Sequence, residues 1–228
     1  MEDLVRIRIV RDGWYFILGP IILLGLVAVG FNTIGLNLTA FYILGAGICI
    51  AVFMIYFFRD PKRDIPEDPD LFVAGADGTI RAIDELPSYK EFEGTVVRIS
   101  TFLSPFNVHV NRAPMTGVVK DLGYTPGKRL FTFQDAASEY NEHSTIMIAG
   151  EKSRCLVRQI VGPIVRRVVY WLKLEQEIKR GDRIGLMKFG SRLDIYFEKS
   201  DVNVLIKKGD KVRAGETVIA TLRKEEKP

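Results

Sequence analysis

The stretch Met187–Phe197, MKFGSRLDIYF, joins a glycine–serine pair directly to a run in which polar and apolar residues alternate. A period of two marks a strand, and Gly-Ser is ordinary turn chemistry. Other short runs share this character: DGTIRAI (77–83), EGTVVRIS (93–100), TGVVKDL (116–122), STIMIAG (144–150) and RCLVRQIV (154–161). Each is rich in β-branched residues and bounded by turn residues. This pattern predicts a mainly β (α+β) chain whose larger part is a compact β-sandwich or barrel-like domain.

A short repeat runs through the same region. IKRGDRI (178–184) returns as IKKGDKV (206–212), 28 residues later, with Gly-Asp placed between apolar positions as in a turn joining two strands. The second copy continues into RAGETVIATL (213–222), which resembles the hairpins of lipoyl- and biotinyl-type carrier domains. Those carriers present a lysine at a tight turn, and no Met-Lys or Asp-Lys-Ala turn follows here, so the likeness is architectural. One segment, FQDAASEYNEHS (133–144), predicts a helix with His143 at its solvated end. GPIVRRVVYWLKLE (162–175) reads as helix or strand, its β-branched residues favouring strand.

The N-terminal quarter differs. From Trp14 to Phe58 there are 45 consecutive residues without Asp, Glu, Lys or Arg. Two apolar runs, 14–31 and 38–58, flank the turn-like NTIGLN and hold 18 and 21 residues. Each is long enough for a hydrocarbon core of about 30 Å. Residues 1–58 therefore predict a transmembrane helical hairpin, as two spans or one deeply inserted re-entrant unit, and 59–70 (RDPKRDIPEDPD) a linker. Arg6, Arg8 and Arg11 precede the first run and Arg59, Lys62 and Arg63 follow the second, which places both ends in the cytoplasm. Gly25, Gly30, Gly45 and Gly47 would let the helices approach closely. A cleaved signal peptide fits poorly, because a second apolar run follows directly.

The net charge of +4 and the lack of a basic–aromatic groove argue against a nucleic-acid partner. Cys49 and Cys155 read as small buried hydrophobes with no metal-site spacing. HExxH, P-loop, GxGxxG and GxSxG patterns are all absent, which removes support for zinc peptidase, NTPase, dinucleotide and hydrolase-elbow readings. His109 lies in SPFNVHVNRAP, opposite in strand phase to Val108 and Val110; taken alone it is more often structural. Asp77 precedes Gly78 at a turn, equally suited to a hairpin or a functional role. Gly190–Ser191 has a latent chemistry. Glycine leaves its carbonyl open, and the tethered serine hydroxyl can attack it, exchanging the amide for an ester. Elimination would free residue 190 as a C-terminus and leave dehydroalanine, which hydrolyses to a pyruvoyl group on residue 191.

FFRDPKR, FLSPFNVHVNRAP, YTPGK, EYNEHS, QIVGPIVRR, GDRIGLMKFGSR and FGSRLDIYF, in that order between Phe57 and Leu222, resemble the short, archaeal-type branch of the phosphatidylserine decarboxylase family, whose archaeal members act on archaetidylserine. The resemblance implies a self-cleaved pyruvoyl decarboxylase domain at 71–228. Cleavage between Gly190 and Ser191 would give a β chain, 1–190, and an α chain, 191–228, associated as a heterodimer, with further homo-oligomerisation left open. The covalent pyruvoyl group would form a Schiff base with a serine phospholipid and act as electron sink for carbon dioxide loss at the membrane. His109 matches the motif histidine for proton transfer or carboxylate positioning. Asp77 matches the aspartate that supports activation of Ser191. Longer members have a second histidine where this chain has Arg112, which leaves His109 to serve both steps, or Arg112 to bind the lipid phosphate or carboxylate. No metal is implied. The alternative is a non-enzymatic carrier-like β domain on a membrane hairpin.

Overall fold

A computed structural model of the protein describes residues 8–128, 130–132, 140–162, 168–188 and 191–223. The chain divides into two compact units, Met1–Lys62 and Arg63–Pro228.

In the first unit, helices α1 (Trp14–Thr33) and α2 (Asn37–Phe57) are joined by a turn in which Gly35 has φ of 81°. That left-handed conformation suits a residue without Cβ. Helices of 20 and 21 residues are each about 30 Å long, so either could cross a membrane. Their outward side chains, Leu23, Leu26, Val29, Phe41 and Tyr42 among them, are apolar and exposed. Strands β1 (Arg8–Ile9) and β2 (Arg59–Asp60) pair antiparallel, Arg8 opposite Asp60. This ladder ties the two ends of the hairpin together on one side. Of the four glycines expected at the helix contact, only Gly47 serves it: a Cβ there would lie 3.2 Å from Leu24 Cβ, whereas Gly25, Gly30 and Gly45 face open space. Cys49 also departs from expectation, because it lies on the exposed side of α2.

The described part of the second unit is built on strands. In chain order they are β3 (Leu71–Val73), β4 (Gly78–Leu86), β5 (Val96–Phe102), β6 (Val110–Arg112), β7 (Gly117–Thr125), β8 (His143–Ala149) and β9 (Arg154–Ile160). There follow β10 (Val169–Tyr170), β11 (Glu177–Ile178), β12 (Arg183–Leu186), β13 (Arg192–Glu198), β14 (Val202–Val204), β15 (Lys211–Val212) and β16 (Val218–Leu222). All six runs expected as strands are strands. The segment left open as helix or strand contributes β10, with 163–167 outside the described residues.

Eight strands form one antiparallel sheet in the order β11-β7-β8-β9-β13-β5-β4-β15, curled as a half-barrel. Two three-stranded sheets, β10-β12-β6 and β14-β16-β3, complete the fold. The core lies between them: Ile99, Ile146, Val157, Leu193 and Phe197 of the large sheet meet Phe72, Ile184 and Ile219 of the small ones. The rings of Phe72 and Phe197 are 4.9 Å apart. Cys155 belongs to this core, and burial raises its thiol pKa.

Both copies of the repeat make the same turn. Gly181 and Gly209 have φ of 84° and 96°, and the Lys179 and Lys207 N–H groups donate to Asp182 Oδ2 (2.8 Å) and Asp210 Oδ2 (2.9 Å). Strands carried by the two copies close opposite edges of the large sheet, Ile178 opposite Gly117 and Val212 opposite Gly78. Unpaired sheet edges invite association, so the repeat has a structural use.

Strand β13 lies between β9 and β5 and is buried on both faces. Its apolar residues, Leu193, Ile195 and Phe197, enter the core. Its polar residues are covered on the other side. There Tyr196 stacks on Tyr89 at 4.4 Å, and Arg192 Nε donates to Asp194 Oδ1 at 2.7 Å. The alternation thus separates two buried environments, where a half-solvated strand would have separated core from water.

Candidate active site

The stretch between Met187 and Ser191 is bracketed at both ends by the segment that follows β5. The Met187 N–H donates to His109 O (3.2 Å), and the Leu103 N–H donates to Ser191 O (2.9 Å). Gly190 lies outside the described residues. Ser191 is fully buried, and its Oγ has no hydrogen-bond partner among the described residues. The Leu103 bond continues the β13–β5 ladder, in which Arg192 faces Phe102 and Leu193 faces Thr101.

Between Leu103 and His109 the chain crosses from the large sheet to the small one. The crossing is set by Asn107, whose Oδ1 accepts from both the N–H (2.9 Å) and the Oγ (2.8 Å) of Ser104. His109 is fully buried, and its Nδ1 lies 2.9 Å from Asn107 O. A carbonyl only accepts, so Nδ1 carries the hydrogen and the basic lone pair of the neutral ring is on Nε2.

Residues 109 and 111 project to the same side of the extended chain, and 110 and 112 to the other. Asn111 points at the large sheet: Gln159 Nε2 donates to Asn111 Oδ1 (2.7 Å), and Ser144 Oγ donates to Gln159 Oε1 (2.8 Å). This relay turns the Asn111 amide so that Nδ2 faces onward as a donor, buried and without a partner among the described residues. Ser144, Gln159 and Leu193 share one row across the sheet. In the next row on the same face, beyond His143, Ile160 and Arg192, stand Glu142, Val161 and Ser191, because the Val161 N–H donates to Glu142 O (3.1 Å) and Ile160 faces Arg192. Glu142 is buried, and its Oε1 has no partner among the described residues. Neither Asn111 nor Glu142 stood out in the sequence, though both occupy stretches that did: Asn111 alternates with His109, and Glu142 lies in EYNEHS.

Asp77 and Arg112 are held differently. Both carboxylate oxygens of Asp77 accept from Arg63 Nη2 at 2.9 Å, and Oδ1 also accepts the Ala214 N–H at 2.8 Å. Gly78 follows on β4, two strands from Ser191 across β5. Arg112 projects from the face of β6 opposite to Asn111, and its Nη1 donates to Gly181 O (2.9 Å). With Arg183, its register partner on β12, it lines a cavity of ≈ 380 Å³.

His143 begins β8 and is 4% exposed, which corrects its expected place at a solvated helix end; residues 133–139 of that expected helix lie outside the described residues. Its side chain joins the face of the sheet away from Ser191. There Arg158 Nη2 lies 2.7 Å from Nε2, and Nδ1 lies 2.7 Å from Asn141 O. A guanidinium only donates, so Nε2 accepts and the ring is neutral. Burial, aided by the Arg158 charge, lowers the His143 pKa, opposed by the Asn141 carbonyl. Among the described residues no His, Cys, Asp or Glu cluster is arranged to hold a metal ion.

The family model described as Phosphatidylserine decarboxylase matches residues 50–220. Similar curated proteins are named phosphatidylserine decarboxylase proenzyme. One from Desulfotalea psychrophila is 42% identical over 171 residues, 75% of this chain and 79% of its own. One from Symbiobacterium thermophilum is 37% identical over 224 residues, 97% of this chain and 99% of its own. A third, from Carboxydothermus hydrogenoformans, is 40% identical over 213 residues, 93% of this chain and 96% of its own. With the family model matching across the β unit and relatives aligning along nearly the full length, the chain belongs to the phosphatidylserine decarboxylase family and is a carboxy-lyase.

Proposed function

We propose that the protein is a membrane-anchored decarboxylase of serine glycerophospholipids, phosphatidylserine or archaetidylserine, that makes its own pyruvoyl group by cutting the Gly190–Ser191 bond. The observation that carries this reading is the setting of Ser191: an enclosed hydroxyl, without a partner among the described residues, at the start of a strand paired on both sides. Burying such a hydroxyl unmatched costs about 1–3 kcal/mol. A fold that needed only a turn there would be better served by alanine.

In maturation, Ser191 Oγ attacks the residue 190 carbonyl and its proton passes to His109 Nε2, the basic nitrogen of the tautomer set by Asn107. Asp77 supports this step by anchoring the turn that pairs with β4. After the cut, the 38-residue product from 191 to 228 is held through β13 to β16, which stay paired within the sheets. The two products are the β chain, 1–190, and the α chain, 191–228. Ser191 fits as the seat of the new group: its position is enclosed, and the Leu103 N–H holds its carbonyl oxygen. A pyruvoyl group there would supply a ketone that takes up the substrate amine and an electron sink for the pair left when carbon dioxide departs. His109 then delivers the proton that replaces the carboxylate. Arg112, with Arg183, is the candidate contact for the lipid phosphate.

The apolar hairpin would anchor this chemistry beside its substrate, and the flanking arginines and lysine support a β domain on the cytoplasmic side. Incubation of the purified protein with a serine phospholipid in mixed micelles tests the reading. Equal amounts of ethanolamine phospholipid and carbon dioxide should form, and borohydride pretreatment should abolish both. Absence of turnover by fully cleaved protein would contradict it.

A further inference from the structure

We infer that Glu142 and Asn111 form the recognition site for the zwitterionic serine headgroup, the Glu142 carboxylate taking its ammonium and the Asn111 amide nitrogen donating to its carboxylate. The inference rests on the decarboxylase reading and extends it to residues with no assigned role.

Three buried side chains at one end of the core carry polar atoms without partners among the described residues: Ser191 Oγ, Asn111 Nδ2 and Glu142 Oε1. Each such atom is destabilising if nothing meets it, more so for a charged group. Three together mark a place built for a polar ligand. Their chemistry is complementary to an amino acid: one acceptor with negative charge, one neutral donor, and the reactive residue.

Their placement agrees. Glu142 and Ser191 share a row on the core face with β9 between them, so their backbones stand two strand spacings apart, roughly 9.5 Å. The intervening residue is Val161, which is apolar and buried. Asn111 comes down from the facing sheet one row away, where Gln159 holds it. An amino acid lying across Val161 would meet Asn111 at its carboxylate and present its nitrogen between the Glu142 carboxylate and residue 191.

A neutral donor at the carboxylate also suits the reaction. An arginine there would stabilise the ionised carboxylate by a charge-assisted bond, roughly twice as strong as a neutral one, and would oppose its conversion to neutral carbon dioxide. An amide orients the group with less ground-state stabilisation. The buried Ser144–Gln159–Asn111 relay fixes which end of that amide faces the substrate.

The test uses the full-length cleaved enzyme with two short-chain lipids that differ in one group. Serine phospholipid carries ammonium and carboxylate; ethanolamine phospholipid carries only the ammonium. KM is read for the first, and Kd by calorimetry for the second. Asn111→Leu should raise KM for the serine lipid at least 10-fold while leaving Kd for the ethanolamine lipid within 2-fold. Glu142→Gln should raise both at least 10-fold. If Asn111→Leu yields no cleaved chain, Asn111→Ser is read by the same criteria. Cleaved variants with wild-type constants, or an Asn111 variant that shifts both constants equally, would overturn the inference. Failure of the wild-type enzyme to decarboxylate would instead overturn the reading beneath it.

Discussion

Arg192 Nε donates to Asp194 Oδ1 over 2.7 Å, and the two side chains are 1% and 0% exposed. Arg192 Nη2 adds a bond to Ser100 Oγ at 2.8 Å. Arg192, the residue after Ser191, is thereby fixed to its own strand and to β5. Asp194→Ala leaves the guanidinium buried without its counter-charge and should cost about 3–5 kcal/mol. Urea unfolding checks this. Asp194→Asn keeps an acceptor and should lose less.

His143 gives the β unit a pH dependence. Its pKa is lowered in the folded state by burial and by Arg158. The unfolded chain therefore binds a proton that the folded one does not, over the interval below the ordinary histidine value. Its contribution is fully present above about pH 6.5 and is lost as pH falls through the folded-state pKa. The Tm of the wild-type protein should drop between pH 7.5 and 5 more steeply than that of His143→Gln, whose amide oxygen can still accept from Arg158. Parallel Tm curves would show that another group is responsible.

Asp77 is joined to Arg63 at 2.9 Å and to the Ala214 N–H at 2.8 Å. If Asp77 aids self-cleavage by anchoring that turn, Arg63→Ala should slow cleavage as Asp77→Asn does, by about 10-fold or more for each. The cleavage half-time after expression in a cell-free system gives the measurement. Slowing by Asp77→Asn alone would indicate a direct role for the carboxylate.

Gly78 runs against β5 so closely that a Cβ would lie 2.2 Å from Phe102 O. Backbone would have to move, so Gly78→Ala should cost about 3 kcal/mol. It should also slow cleavage, since Leu103, the next residue, holds Ser191. A normal Tm with normal cleavage would show that β4 and β5 separate freely.

The large elements were legible because their signals are local. A charge-free run of 45 residues can hardly be anything but an apolar hairpin, and the six alternating runs are six of the eight strands of the large sheet. Pairing is not local. Nothing in RLDIYF says that Arg192 and Asp194 neutralise each other in a second buried layer. His143 was misplaced for a similar reason: EYNEHS is polar in composition, but its histidine gains Arg158 only through the register of β8 and β9. The same limit hid Glu142 and Asn111. Their importance lies in unmet hydrogen-bonding capacity at a shared end of the core, which exists only once three strands and the facing sheet are assembled. The proposal of Ser191 rests on the chemistry of its own dipeptide and on the family resemblance.

Self-cleavage at residue 191 is the central claim, and intact mass spectrometry of the purified wild-type and Ser191→Ala proteins tests it most directly. The wild type should appear as two chains, 1–190 and 191–228, the smaller lacking a free amino terminus and shifting in mass with hydroxylamine; Ser191→Ala should remain a single chain of 25.8 kDa. A wild-type protein that is one uncleaved chain, or a Ser191→Ala protein cleaved at the same bond, would contradict it.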